Sequence, residues 1–167
     1  MELLPGRARL DGLALMALTA GCGLAPGEVP AVRGGDLRVT AQGMVVLDAP
    51  WLGRLVACRS GWEQTLAELA QVAGDGYLFR PGRKVEAAKN LVSSWPARHR
   101  PHAGLPPLAA RRLRTTWIVD LLRQRIDPAL VADAAGMRSA AGLAPYFHWV
   151  PPLGPEQAAE LLRGSRP

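Results

Sequence analysis

Between Leu108 and His148 the sequence commits the chain to one succession of helix, cap, helix, turn and tyrosine, and the remaining residues must fold to support it. Leu113, Trp117, Val119 and Leu121 recur every three or four residues or close to it, so Leu108 to Arg125 reads as a helix with one stripe facing a core. Arg111, Arg112 and Arg114 stand near its start, where unpaired N–H groups and the helix dipole favour an anion. Two readings stay open there: a phosphate docks on these arginines, or they form a solvated basic face. Ile126-Asp127-Pro128 opens a second helix with proline in its first turn, Leu130, Val131 and Ala134 give it an apolar face, and Gly136 stops it. Arg138 to Pro145 is then a turn leading to Tyr146, with His148 two residues beyond at the surface.

Upstream, Pro5-Gly6 reads as a breaker in a frayed lead-in, and Asp11 as the cap of a buried helix carrying Leu13, Met16, Ala17 and Ala20 as far as Gly21. From Leu37 to Arg59 the pattern shortens to Leu37–Thr40, Met44–Leu47 and Arg54–Cys58, β-type runs separated by Gly and Pro, which predict three antiparallel strands. Trp62 to Val72 predicts an amphipathic helix after a Ser60-Gly61 cap region. Tyr77, beside Leu78-Phe79, reads as core packing. Residues 84–95 read as a helix stopped by Pro96, followed by a basic loop in which Arg98, His99, Arg100 and His102 either touch phosphate or are simply solvated. Pro155 opens a last short helix with Ala158, Leu161 and Leu162 on one side. A helix that short is marginal alone and must pack on this domain or on a neighbour's.

At 167 residues the chain is long enough to bury a single core without disulfide or metal support. Cys22 and Cys58 form no CxxC pair and read as buried free thiols, so neither a metal nor a cofactor is expected. No apolar run reaches the length of a membrane span, and Arg7-Ala-Arg9 is followed at once by Asp11, a poor match to a secretory leader. A soluble, cytoplasmic protein is expected. The formal charge of +6 suits a polyanionic partner, although a coding bias toward Arg would produce it too.

The set Arg111-x-x-Arg114, Ala135-Gly136-Met137 and Tyr146 resembles the second half of the tyrosine recombinase (phage integrase) catalytic domain. That family has His-x-x-Arg at a helix start, Leu-Gly-His about two dozen residues later, and a nucleophilic Tyr at the interval that here separates Met137 from Tyr146. Gly23-Leu24 and Glu28, closed by Val32-Arg33-Gly-Gly-Asp36-Leu37, resemble the family's Thr-Gly-Leu-Arg segment and its acidic residue, with Ala25 where the first arginine belongs. Arg54-Leu55-Val56 resembles the end of the hairpin that carries the family's lysine, and counting back places Ala49 there.

The resemblance implies an α+β fold, mostly helical with a small three-stranded antiparallel sheet, over residues 1–167 as one catalytic-type domain without the N-terminal clamp. It implies double-stranded DNA as partner and allows another recombinase protomer. It also implies that Tyr146 is the nucleophile and that Arg114 and Arg111 serve the phosphate. In such chemistry each preorganised donor is worth on the order of 3 to 4 kcal/mol, and Ala25, Ala49 and Met137 supply none. Impaired cleavage is the expectation, with the space beside Ala25 left vacant and no guanidinium from that segment within reach of Arg114; Arg33 or Arg54 folded into that space would turn the preference toward an active enzyme. The alternatives are an active strand transferase using Arg33, Arg54 and Arg111 as substitutes, and a helical protein-interaction domain on the same fold.

Overall fold

The computed structural model describes residues 6–83, 90–99 and 106–164. Helix α1 spans Gly6–Met16 and widens into a π-turn over Ala17–Gly21. Its buried face is made of small residues and Leu15, which lets the turn and the following Gly23 run close beneath a later helix. Strands β1 (Leu37–Val39), β2 (Val45–Asp48) and β3 (Leu55–Ala57) form the antiparallel sheet expected of the three β-type runs, in the order β1-β2-β3. Val46 of the middle strand pairs with Arg38 on one side and Ala57 on the other. Val45, Val46 and Leu47 are all buried, so this strand reads as a continuous apolar run rather than an alternation.

Helix α2 (Ser60–Ala73) buries Leu66 and Leu69. The segment after it pairs back on the chain before β1, Arg33 bridging to Tyr77 and the Leu78 N–H donating to the Val32 carbonyl. Tyr77 is buried, as its neighbours suggested, between the guanidiniums of Arg33 and Arg83 at 4.1 and 3.9 Å from the ring centroid. Helices α3 (Leu91–Arg98), α4 (Ala110–Arg123), α5 (Pro128–Ala134) and α6 (Pro155–Arg163) follow, with a 3-10 stretch over Ala140–Trp149 between the last two. Asp127 caps α5 by accepting from the N–H groups of Ala129 and Leu130, and Gly136 ends the segment at φ +69°.

Two apolar clusters result. The larger gathers α1, the sheet, α2 and α3 around Leu15, Leu18, Leu47, Val56 and Phe79. The smaller joins Trp117, Ile118 and Leu122 of α4 to Val131, Ala132 and Leu143. They meet where the π-turn passes under α4. A Cβ on Gly23 would lie 2.4 Å from the Trp117 ring, and φ there is +66°, so only glycine fits on both counts.

Two expectations are corrected. Asp11 is no cap, because α1 begins at Gly6. It lies inside the helix, 7% exposed, and accepts a hydrogen bond from the Arg80 N–H at 3.1 Å. Pro96 does not stop α3, which continues to Arg98: proline holds a helical φ and forfeits one N–H, a loss set against the burial of Trp95 and Pro96 and the edge contact of Trp95 with Phe79. Helix α6 buries none of its residues on this domain, Leu161 and Leu162 being 64% and 88% exposed, which leaves packing on a neighbour's as the remaining expectation. The first six residues of the helix expected over 84–95, and Arg100 and His102 of the basic loop, lie outside the described residues.

Burial holds the Asp11 carboxyl above its ordinary value, against the lowering effect of the Arg80 N–H and the charges of Arg80 and Arg7. A raised folded-state pKa contributes stability that is complete below the unfolded value and is lost as pH rises through the folded one. Asp11→Asn keeps the acceptor and removes the titration. Its melting temperature relative to wild type is therefore expected to rise between acid and neutral pH, as checked by thermal denaturation of both proteins across that range.

Candidate nucleic-acid site around Arg114 and Tyr146

Arg114 sits one turn into α4, and its position on the helix turns it inward rather than to solvent. One terminal nitrogen donates to the Gly23 carbonyl and the other to the Ala135 carbonyl, the latter at 2.6 Å. A single guanidinium thus ties the segment after the π-turn, the end of α5 and the start of α4 together. Burial lowers its pKa, while the charges of Glu28 and Tyr146 raise it and that of Arg54 lowers it further. For Arg114 the solvated-face reading falls. Arg112, which is exposed, donates back to the Pro107 carbonyl, and Arg111, also exposed, lies one turn before Arg114 on the same helix.

The space beside Ala25 is not vacant. Arg54, immediately before β3, reaches across it: Nη1 and Nη2 donate to the two Glu28 oxygens at 2.8 and 3.0 Å, and Nε donates to the Ala134 carbonyl at 2.9 Å. Glu28 Oε2 also accepts the Ala25 N–H at 2.7 Å. The two guanidiniums therefore rest on consecutive carbonyls, Arg54 on Ala134 and Arg114 on Ala135. The expectation of an empty pocket fails for a simple reason. A glutamate in a half-buried loop requires a cation, and a long side chain entering from the sheet reaches it when the local segment has none. A Cβ on Gly136 would meet the Arg54 guanidinium carbon at 2.7 Å, so this glycine admits the arginine as well as turning the chain.

The other positions fall out as follows. Tyr146 is half-buried in the 3-10 stretch and packs against the smaller cluster, as does Met137. Ala49 is buried in the β2–β3 hairpin, whose Asp48 pairs with Arg38 instead of projecting a cation. Arg33 is committed to Tyr77, its Nη2 donating to the phenol oxygen at 2.8 Å, and so does not belong to this site. His148 is exposed and lies against Trp149. Among the described residues no group of His, Cys, Asp or Glu is placed to hold a metal ion, and no helix is long and apolar enough to cross a membrane.

The Arg54 and Glu28 side chains are 10% and 25% exposed, so removing one partner leaves a poorly solvated charge. Arg54→Ala is expected to cost on the order of 3 kcal/mol of stability, read by urea denaturation. The double variant Arg54→Ala with Glu28→Ala should lose less than the sum of the single variants.

No family model matches the sequence, and no curated protein is detectably similar to it. Among solved structures the chain is similar to the crystal structure of XerA recombinase, with a TM-score of 0.63 at 19% sequence identity, over 99% of this chain and 63% of that one. At that identity the likeness extends to the fold. The chain has a mostly helical tyrosine-recombinase-like fold with a small three-stranded antiparallel sheet.

Proposed function

We propose that this chain is a DNA-binding domain on the tyrosine-recombinase fold, serving DNA recombination or integration, whose own strand cleavage is impaired. The observation that carries the reading is the disposition of the two inward guanidiniums. Arg114 uses two of its five N–H groups on carbonyls and retains the rest for an anion. Arg54 is closed off by Glu28 and the Ala134 carbonyl. Arg114, with Arg111 one turn away, is thus suited to hold a backbone phosphate. Tyr146 lies near enough to Arg114 that its phenol, once ionised, would bear on the guanidinium.

Cleavage asks for more than binding. In it the Tyr146 oxygen would form a bond to phosphorus as the bond to a deoxyribose oxygen breaks, with charge growing on the non-bridging oxygens and a proton needed at the leaving one. Donors stronger in that state than in the ground state are what accelerate the step. Ala25 and Ala49 offer no side-chain donor and Met137 offers only a thioether, which is why phosphate binding without efficient cleavage is the better reading. Exposed Leu161 and Leu162 on α6 suit a protein partner in addition, such as another recombinase protomer.

The placement of Arg54 favours a second reading, an active strand transferase in which Arg54 substitutes for the arginine missing at position 25. One experiment separates the two. A nicked suicide DNA substrate is incubated with wild type and with Tyr146→Phe and resolved under denaturing conditions. Impaired cleavage gives no appreciable covalent adduct with either protein. An adduct present with wild type, absent with Tyr146→Phe and lost in Arg54→Gln would establish the second reading. Introducing Ala25→Arg and Met137→His should raise any trace adduct if these positions correspond to the family's donors.

Binding itself is expected to depend on backbone phosphates with little sequence preference, so affinity should fall steeply with salt. Gel-shift titrations over a salt series, on unrelated duplexes, check this; salt-insensitive or strongly site-specific binding would contradict it.

A further inference from the structure

A second cationic site lies where α1, the segment after α2 and the end of α3 come together, and it shares no residue with the site around Arg114. Two adjoining cavities open there. One of about 330 Å³ is lined by Arg7, Asp11, Arg80, Gly82 and Arg83. The other, about 280 Å³, shares Arg7, Asp11 and Arg80 and adds Trp95, Arg98 and His99. Among the described residues Asp11 is the only acidic one on these walls, and it is buried.

The arginines differ in what they already do. Arg83 is engaged with Tyr77 and with the Phe79 and Pro30 carbonyls, and Arg98 with Ser94. Arg7 and Arg80 make no salt bridge among the described residues. Arg80 is moreover held at φ +58°, a conformation that a non-glycine residue adopts at a cost, by its N–H bond to Asp11 and by the Arg83 N–H donating to its carbonyl. The indole N–H of Trp95, a residue 4% exposed, is buried and turned toward the Asp11 carboxylate. His99 stacks on that indole with ring centroids 4.5 Å apart and points its Nδ1 at the Trp95 carbonyl, 3.0 Å away.

Guanidiniums gathered on one cavity repel each other unless an anion joins them, and a tetrahedral oxyanion with several acceptor oxygens suits their forked donors best. We propose that this cleft binds a phosphate group on Arg7 and Arg80, and that the group is a backbone phosphate of DNA contacted apart from Tyr146. The DNA source rests on the function proposed above; the phosphate chemistry does not.

The test measures a labelled DNA duplex, over a salt series, against wild type, Arg7→Gln with Arg80→Gly, and Asp11→Asn. Glycine is chosen at position 80 because it accepts the backbone conformation. The double variant should bind about tenfold more weakly or worse, with a salt slope shallower by about 0.9 for each phosphate no longer neutralised. Asp11→Asn, which removes the one negative group among the described wall residues, should bind several-fold tighter, a gain that a purely structural role for Asp11 would not produce. If the double variant melts early, Arg7→Gln alone carries the comparison, since Arg7 is exposed. Unchanged affinity and slope would overturn the assignment to DNA.

A second arm titrates inorganic phosphate while following the Trp95 indole N–H resonance. Should wild type bind no duplex at all, the DNA reading falls and this arm decides the cleft. Saturable movement in wild type that is abolished in the double variant would mean a site for free phosphate. No movement in wild type would overturn the site.

Discussion

The junction between the two halves of this molecule is made by guanidinium groups on backbone carbonyls. Arg114 reaches from α4 to Gly23 and Ala135, and Arg54 from the sheet to Ala134 and Glu28. Both accept the end of α5 as their common platform. A charge that leaves water must be compensated by hydrogen bonds, and carbonyls at a helix end are otherwise short of donors. The arginines satisfy those carbonyls, and the carbonyls fix the arginines. Packing then follows: Trp117 settles on Gly23, and the smaller apolar cluster closes over the same seam.

Much of this was legible in the sequence where short-range rules apply. The three strands emerged from β-type runs between Gly and Pro, α5 from its Asp-Pro start and Gly stop, and Tyr77 from its apolar neighbours. The inward course of Arg114 was not, since the first turn of a helix with three arginines reads equally well as a solvated face. Which of the three turns inward depends on where α5 ends, about twenty residues further along. Arg54 was harder still. Its partner Glu28 lies across a strand and a hairpin, and no local pattern joins them. An acidic residue in an apolar loop with no nearby cation was the one available signal, and it points to a missing partner without saying which.

The misreadings have the same origin. Asp11 has the chemistry of a cap and lies near a plausible helix start, yet tertiary partners from the segment after α2 gave it another role. Proline at position 96 carries a strong local prohibition, outweighed where Trp95 packs on Phe79 and stacks with His99. Local propensity decides in the absence of burial, and both residues are buried.

The two cysteines give the seam a means of reporting its own opening. Cys22 follows the π-turn and Cys58 follows β3, and the hydrogen bond from the Arg59 N–H to the Gly21 carbonyl holds the two segments side by side. Proximity to Cys58 and complete burial push the Cys22 thiol well above its ordinary value, so the thiolate needed for alkylation scarcely forms while the fold is intact. Reaction must await separation of the turn from the strand. The rate at which a maleimide consumes Cys22 is accordingly a clock for that separation, running beside the Gly23 carbonyl that holds Arg114.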